Sequence, residues 1–162
     1  MITVAWLSFA ISCPLLGYLS DYFQQRKLVM IFAALCLLAG LTGVIYFPVG
    51  QTTAILCFLL IGIGASGQSV GFAIISEYCK QSYLAVGLAF NNAMIMVCAA
   101  INAPLIGYIL SHFSVSGRYT LAEYQDAFMI MIVLASCALI LSAFLIKETF
   151  CKSMRENTVL TP

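Results

Sequence analysis

Five long apolar runs separated by short polar stretches pattern this chain: Ile2 to Leu19, Leu28 to Phe47, Thr53 to Ile75, Leu84 to Leu110 and Asp126 to Ile146. A helix needs about 20 mostly apolar residues to cross roughly 30 Å of hydrocarbon. Inside a bilayer every backbone N–H and C=O must be paired, which leaves helices or closed barrels, and the runs lack the alternating polarity of barrel strands. The pattern predicts an all-α polytopic membrane protein with five transmembrane helices in residues 1–152 and a polar tail at 153–162.

Composition agrees with that solvent. Only 8% of the residues are charged, against roughly 25% in a soluble domain. The net charge of +1 offers no basic field for nucleic acid. The seven cysteines never come closer than 14 residues, so neither a redox pair nor zinc-type spacing exists, and they read as small packing residues. No metal or cofactor is expected. No Lys or Arg precedes the first apolar run, so it reads as a span and not as a secretory signal. Met1 stands directly against that run, which leads us to expect further sequence upstream.

Lys and Arg accumulate in cytoplasmic loops. Arg26 and Lys27 lie in the first connection, Lys80 in the third, and Lys147, Lys152 and Arg155 at the C-terminus, whereas the second and fourth connections hold only Arg118. The expected orientation is an external N-terminus and a cytoplasmic C-terminus. Pro14-Leu15-Leu16-Gly17-Tyr18 in the first span recurs as Pro104-Leu105-Ile106-Gly107-Tyr108 in the fourth, which would run the opposite way. That is the signature of inverted repeats in transporters.

The connection Gly17-Tyr18-Leu19-Ser20-Asp21-Tyr22-Phe23-Gln24-Gln25-Arg26-Lys27 resembles the loop signature of the major facilitator superfamily, with Gly17, Asp21, Arg26 and Lys27 matching. Tyr22, Gln24 and Gln25 stand where that family usually has Arg, Gly and Arg. Gly87 to Asn92 followed by Pro104 to Tyr108 looks like the family's eleventh helix, in a branch of bacterial uptake carriers, and Ile146-Lys147-Glu148-Thr149 resembles the end of its twelfth. The resemblance implies the C-terminal half of a carrier, from most of helix eight through helix twelve. In a bacterium it would lie in the inner membrane. In such a gating loop the glycine would let helices approach, and Asp21 would accept from Arg26 or from the N–H groups of a helix end.

Polar residues within spans are costly and face partner helices or a cavity. Asn91, Cys98 and Asn102 fall on one stripe of the fourth span, and Gln68 sits between Gly64 and Gly71 on the third. The resemblance places spans one, three and four around a central cavity, so Trp6, Gln68, Asn91 and Asn102 are the candidate solute contacts. Interhelical packing glue is the alternative role for each. Gly62-Ile63-Gly64-Ala65-Ser66-Gly67 satisfies GxGxxG but lies inside a span, where no dinucleotide motif could work. Gly67 and Gly71 read as a close-packing face, with Pro104 and Gly107 as a packing or kink element. His112 is the lone histidine and reads as an external loop residue.

No constellation supports catalysis, so an enzyme is not expected. The reading is alternating-access transport of a small neutral or zwitterionic solute, possibly an amino acid. The partners are the lipid bilayer and a missing N-terminal half or another carrier chain. The alternative is a non-transporting membrane protein, or a gene remnant, that docks on an intact carrier.

Overall fold

The computed structural model describes residues 1–47, 50–113 and 120–151. Among these residues six α-helices follow in order: α1 (Ile2–Phe23), α2 (Arg26–Tyr46), α3 (Gln51–Ala65), α4 (Gly67–Tyr78), α5 (Leu84–Phe113) and α6 (Leu121–Phe144). A short 3-10 turn, Gln81–Tyr83, precedes α5. Helices α3 and α4 together form one 28-residue span, giving five segments long and apolar enough to cross a membrane. No strand occurs among the described residues. Arg118, Lys152, Arg155 and the polar tail lie outside them.

The helices outrun the apolar runs at their polar ends. α1 continues through Ser20 and Asp21 to Phe23. α6 begins at Leu121, ahead of Asp126, because Thr120 and Glu123 form a reciprocal capping box: Thr120 N donates to Glu123 Oε2 at 2.7 Å, and Glu123 N to Thr120 Oγ1 at 3.4 Å. Hydropathy marks where a helix meets hydrocarbon, whereas caps mark where it stops.

The third span breaks at Ser66. Glycines at 62, 64 and 67 weaken the helix locally by about 1 kcal/mol each relative to alanine, and Gly/Ser pairs are habitual kink sites. The buried Ser66 hydroxyl donates to Ile63 O at 2.6 Å, and the Ser69 hydroxyl to Ser66 O at 2.8 Å, so side chains satisfy the interrupted ladder. The stretch that mimicked a dinucleotide motif is therefore a helix break. Pro14 and Pro104 stay inside continuous helices, each nine residues before its helix end at Phe23 and Phe113.

Without a hydrophobic drive between helices in lipid, close packing depends on small residues. A Cβ at Gly64 would stand 2.5 Å from Leu37 N, one at Gly62 2.5 Å from Ala5 O, and one at Gly40 2.8 Å from Cys57 O. These glycines seat α3 against α2 and α1. Gly67 packs likewise, 2.8 Å from Ala33 Cβ, but Gly71 meets nothing within 4 Å, so the expected Gly67–Gly71 face is close-packed at its first glycine only. Gly17 and Gly107 also face open space. A small buried core of Leu16, Val29, Ala33, Val70 and Ile74 joins α1, α2 and α4, with Met30 and Ile146 against it.

Successive spans alternate in direction. Arg26 at the start of α2 contacts the ends of α1 and α4, while at the other end Gln125 Nε2, in the first turns of α6, donates to Ile45 O near the end of α2 at 2.6 Å.

Candidate gate and cavities

The two-residue connection from α1 to α2 turns on Gln24, whose φ of 52° and ψ of 33° are left-handed, with its N–H on Asp21 O. That turn folds Arg26 back onto the end of α1. The Arg26 guanidinium makes four contacts: Nη1 with Asp21 Oδ1 at 2.7 Å and Ser20 Oγ at 3.1 Å, and Nε and Nη2 with Glu77 Oε1 at 3.0 and 2.8 Å. The expected Asp21–Arg26 pair is present, but the Asp21 side chain is 64% exposed. The buried partner is Glu77, at the end of α4, with a side chain 10% exposed against 9% for Arg26.

Beyond α6 the chain crosses beneath the bundle and ties the same ends together. Glu148 accepts from Arg26 N at 2.7 Å and Lys27 N at 2.9 Å, so its carboxylate caps the N-terminus of α2, where free N–H groups and the helix dipole favour an anion. A carboxylate on a helix end was expected, but from Asp21; Glu148 takes that role. Thr149 Oγ1 donates to the second Glu77 oxygen, the Tyr78 hydroxyl to Lys147 O at 3.1 Å, and Cys151 Sγ to Ser20 O at 3.5 Å. Burial pushes the Cys151 thiol above its ordinary range, with the nearby Arg26 charge acting in the opposite sense. Two helix ends, one helix start and the C-terminal strap thus share one polar cluster, held by noncovalent bonds that water can replace.

Glu77 escaped the sequence reading because the apolar run closes at Ile75, which made it look like a loop charge. The available signal was its place at the same predicted face as Arg26, since a buried guanidinium requires a buried acid.

The four proposed solute contacts do not gather in one place. Trp6, 67% exposed and edge-on to Phe9, shares a groove of about 260 Å³ with Gln68 between α1 and the broken span. Gln68 also borders a second hollow of about 600 Å³, together with Asn91, between α2, α4, α5 and α6. Asn102 lines neither hollow among those described. Asn91 Nδ2 and Asn102 Oδ1 are buried without a hydrogen-bond partner among the described residues. His112 stacks on Tyr108 with ring centroids 5.9 Å apart. Among the described residues no group of His, Cys, Asp and Glu is placed to hold a metal.

No curated protein and no solved structure matches the chain. The sequence profile of the Major Facilitator Superfamily does match, over residues 1–157, so the whole described bundle lies within it. With its membrane-length helices, that match makes this a multi-pass integral membrane protein that belongs to the major facilitator superfamily, a family of transporters.

Proposed function

We propose that the chain forms part of a secondary carrier that moves a small neutral or zwitterionic solute by alternating access. The observation that carries this reading is the Arg26–Glu77 ion pair with its Glu148–Thr149 strap, which joins the ends of α1 and α4, the start of α2 and the segment after α6 on one face of the bundle. Such a cluster closes that face when formed and opens it when its partners are exchanged for water, a two-state element of the kind alternating access needs. Arg26, Lys27, Lys80 and Lys147 all fall at this end, which favours a cytoplasmic gate and an external N-terminus. In a bacterium the membrane would be the inner one.

Trp6 and Gln68 form the wall that solute meets, since Trp6, Leu7 and Ile11 leave one side of α1 uncovered. A full path of this kind lies between two six-helix halves, so the proposal includes a second half, from the same polypeptide or from another. Asn91, on α5, borders the second hollow beside Gln68, whereas Asn102 lines neither hollow, so both stand apart from that wall. The same uncovered α1 face favours, as a second reading, a chain that docks on an intact carrier without transporting.

The test is uptake of radiolabelled neutral and zwitterionic solutes by cells expressing the gene, with Gln68→Ala and Trp6→Ala at matched membrane levels. Uptake that these substitutions abolish supports the path. Uptake that they leave unchanged overturns their role, and loss of protein in place of uptake assigns them to packing.

A further inference from the structure

Two neighbouring residues of the C-terminal strap hold positive φ without being glycine: Phe150 at 51° and Cys151 at 53°. That region is costly for any L side chain, and for a bulky one such as Phe it is an outlier. Packing of the ring does not account for it, since Phe150 is 55% exposed. Such conformations persist only where surrounding contacts over-determine them.

The contacts that do so come from the polar face. The Glu148 carboxylate accepts from Arg26 N and Lys27 N of α2, and its Oε1 also accepts from the strap's own Thr149 N at 3.2 Å and Phe150 N at 3.4 Å. Successive N–H groups curled round an anion form a nest, and here the anion is itself fixed on a helix start. On either side of Phe150, Thr149 Oγ1 donates to Glu77 and Cys151 Sγ to Ser20 O. The turn of the strap and its docking are therefore one event. Once undocked, the strap loses the contacts that hold Phe150 and Cys151 at positive φ, and both relax.

We propose that residues 147–151 are a strained latch. Docked, the latch ties the start of α2 to the ends of α1 and α4 and holds the polar face shut, while its two positive-φ residues oppose docking and bias it toward release. The backbone of Phe150 and Cys151 thereby sets the balance between the shut and the open face, a regulatory role additional to the ion pair. The latch rests on the gate reading for the face that it closes, but its strain acts whether or not solute moves.

The test compares the wild-type full chain with Phe150→Gly and Phe150→Ala in inverted vesicles. Glycine adopts positive φ freely, whereas alanine removes the ring and keeps the Cβ that makes the turn costly. The readout is alkylation of Cys151 by a membrane-impermeant maleimide. Cys79, which ends α4 and is also partly buried, is the reference thiol outside the strap. Where docking is fast relative to alkylation, the rate follows the undocked fraction. Phe150→Gly should slow Cys151 roughly two- to tenfold relative to Cys79, the relief at one positive-φ residue less the greater freedom of glycine in the undocked strap. Hydrogen exchange at the Lys27 amide should slow with it. Phe150→Ala should leave both rates within about twofold, because alanine bears the same backbone cost. Unchanged or faster alkylation in Phe150→Gly would overturn the latch, and so would equal slowing in Phe150→Ala, which assigns the effect to the ring. Solute uptake by the same variants keeps the two readings apart: slowed alkylation without any uptake supports the latch and counts only against transport, whereas uptake with unchanged alkylation overturns the latch alone.

Discussion

The Arg26 guanidinium meets the Glu77 carboxylate at 2.8 and 3.0 Å across 51 positions of sequence, and both side chains are about nine-tenths buried. A buried pair of this kind need not add net stability when formed, because desolvation offsets the Coulomb gain. Its loss is another matter. Removing one member strands the other in a low-dielectric site.

Glu77→Ala should therefore destabilise the closed bundle by about 3–5 kcal/mol, the usual cost of breaking a buried pair from one side. Asp21→Asn, at the exposed end of the same guanidinium, should cost no more than about 1 kcal/mol. Thermal unfolding of the two variants in one detergent measures the contrast, and equal effects would mean that Glu77 is not the principal partner.

Gln24 holds a left-handed conformation, φ 52° and ψ 33°, at the end of α1. An L side chain there costs roughly 1–2 kcal/mol, partly offset in a glycine variant by the greater freedom of the unfolded chain. Gln24→Gly should raise the melting temperature, by a net free energy of about 1 kcal/mol or less. The loop signature that this connection resembles carries glycine at this position, and the turn geometry is the physical reason for it. A fall in melting temperature would show that the Gln24 side chain does more than tolerate the turn.

Gly64→Ala should lower stability by about 1–3 kcal/mol through overpacking, because its Cβ would stand 2.5 Å from the Leu37 backbone. Gly71→Ala and Gly17→Ala have no neighbour within 4 Å to meet and, as helical positions, should raise stability by up to about 1 kcal/mol. The three alanine variants compared side by side test whether glycine serves close approach at the first position alone.

Much of this was legible in the sequence because the membrane imposes a simple rule on it. Five apolar runs gave five spans, and Gly17, Asp21, Arg26 and Lys27 marked the turn that does carry a polar cluster. Partners from distant segments were not legible. Glu77 reaches the Arg26 guanidinium from the end of α4, and Glu148 reaches the Arg26 backbone N–H from the strap beyond α6; nothing in the local pattern says which acid each group will find. The break at Ser66 was written as clustered glycines and serine, but that same cluster also reads as a packing face. Trp6, Gln68, Asn91 and Asn102 illustrate the limit of helical periodicity, which places Asn91 and Asn102 on one stripe of α5 yet does not fix which hollow each one meets.

Loss of the helix cap should be smaller than loss of the ion pair. Glu148→Ala removes the acceptor of Arg26 N and Lys27 N and should cost about 0.5–2 kcal/mol, as other N-cap losses do. Hydrogen exchange confined to the first turn of α2 would register it, and unchanged protection there would argue against the strap.

Alkylation of Cys151 tests most directly whether the polar end opens and shuts. Its thiol donates to Ser20 O within the closed cluster, and burial holds it above the ordinary thiol range. The rate with a membrane-impermeant maleimide, read by peptide mass spectrometry in inverted vesicles, should be slow in the wild type. It should also keep rising with pH beyond the usual value near 8.5, since a raised pKa leaves less thiolate at any given pH. Glu77→Gln, which frees the strap, should increase that rate severalfold. Rates that are the same in both proteins, and as fast as those of a free thiol, would contradict a gate at this end of the bundle.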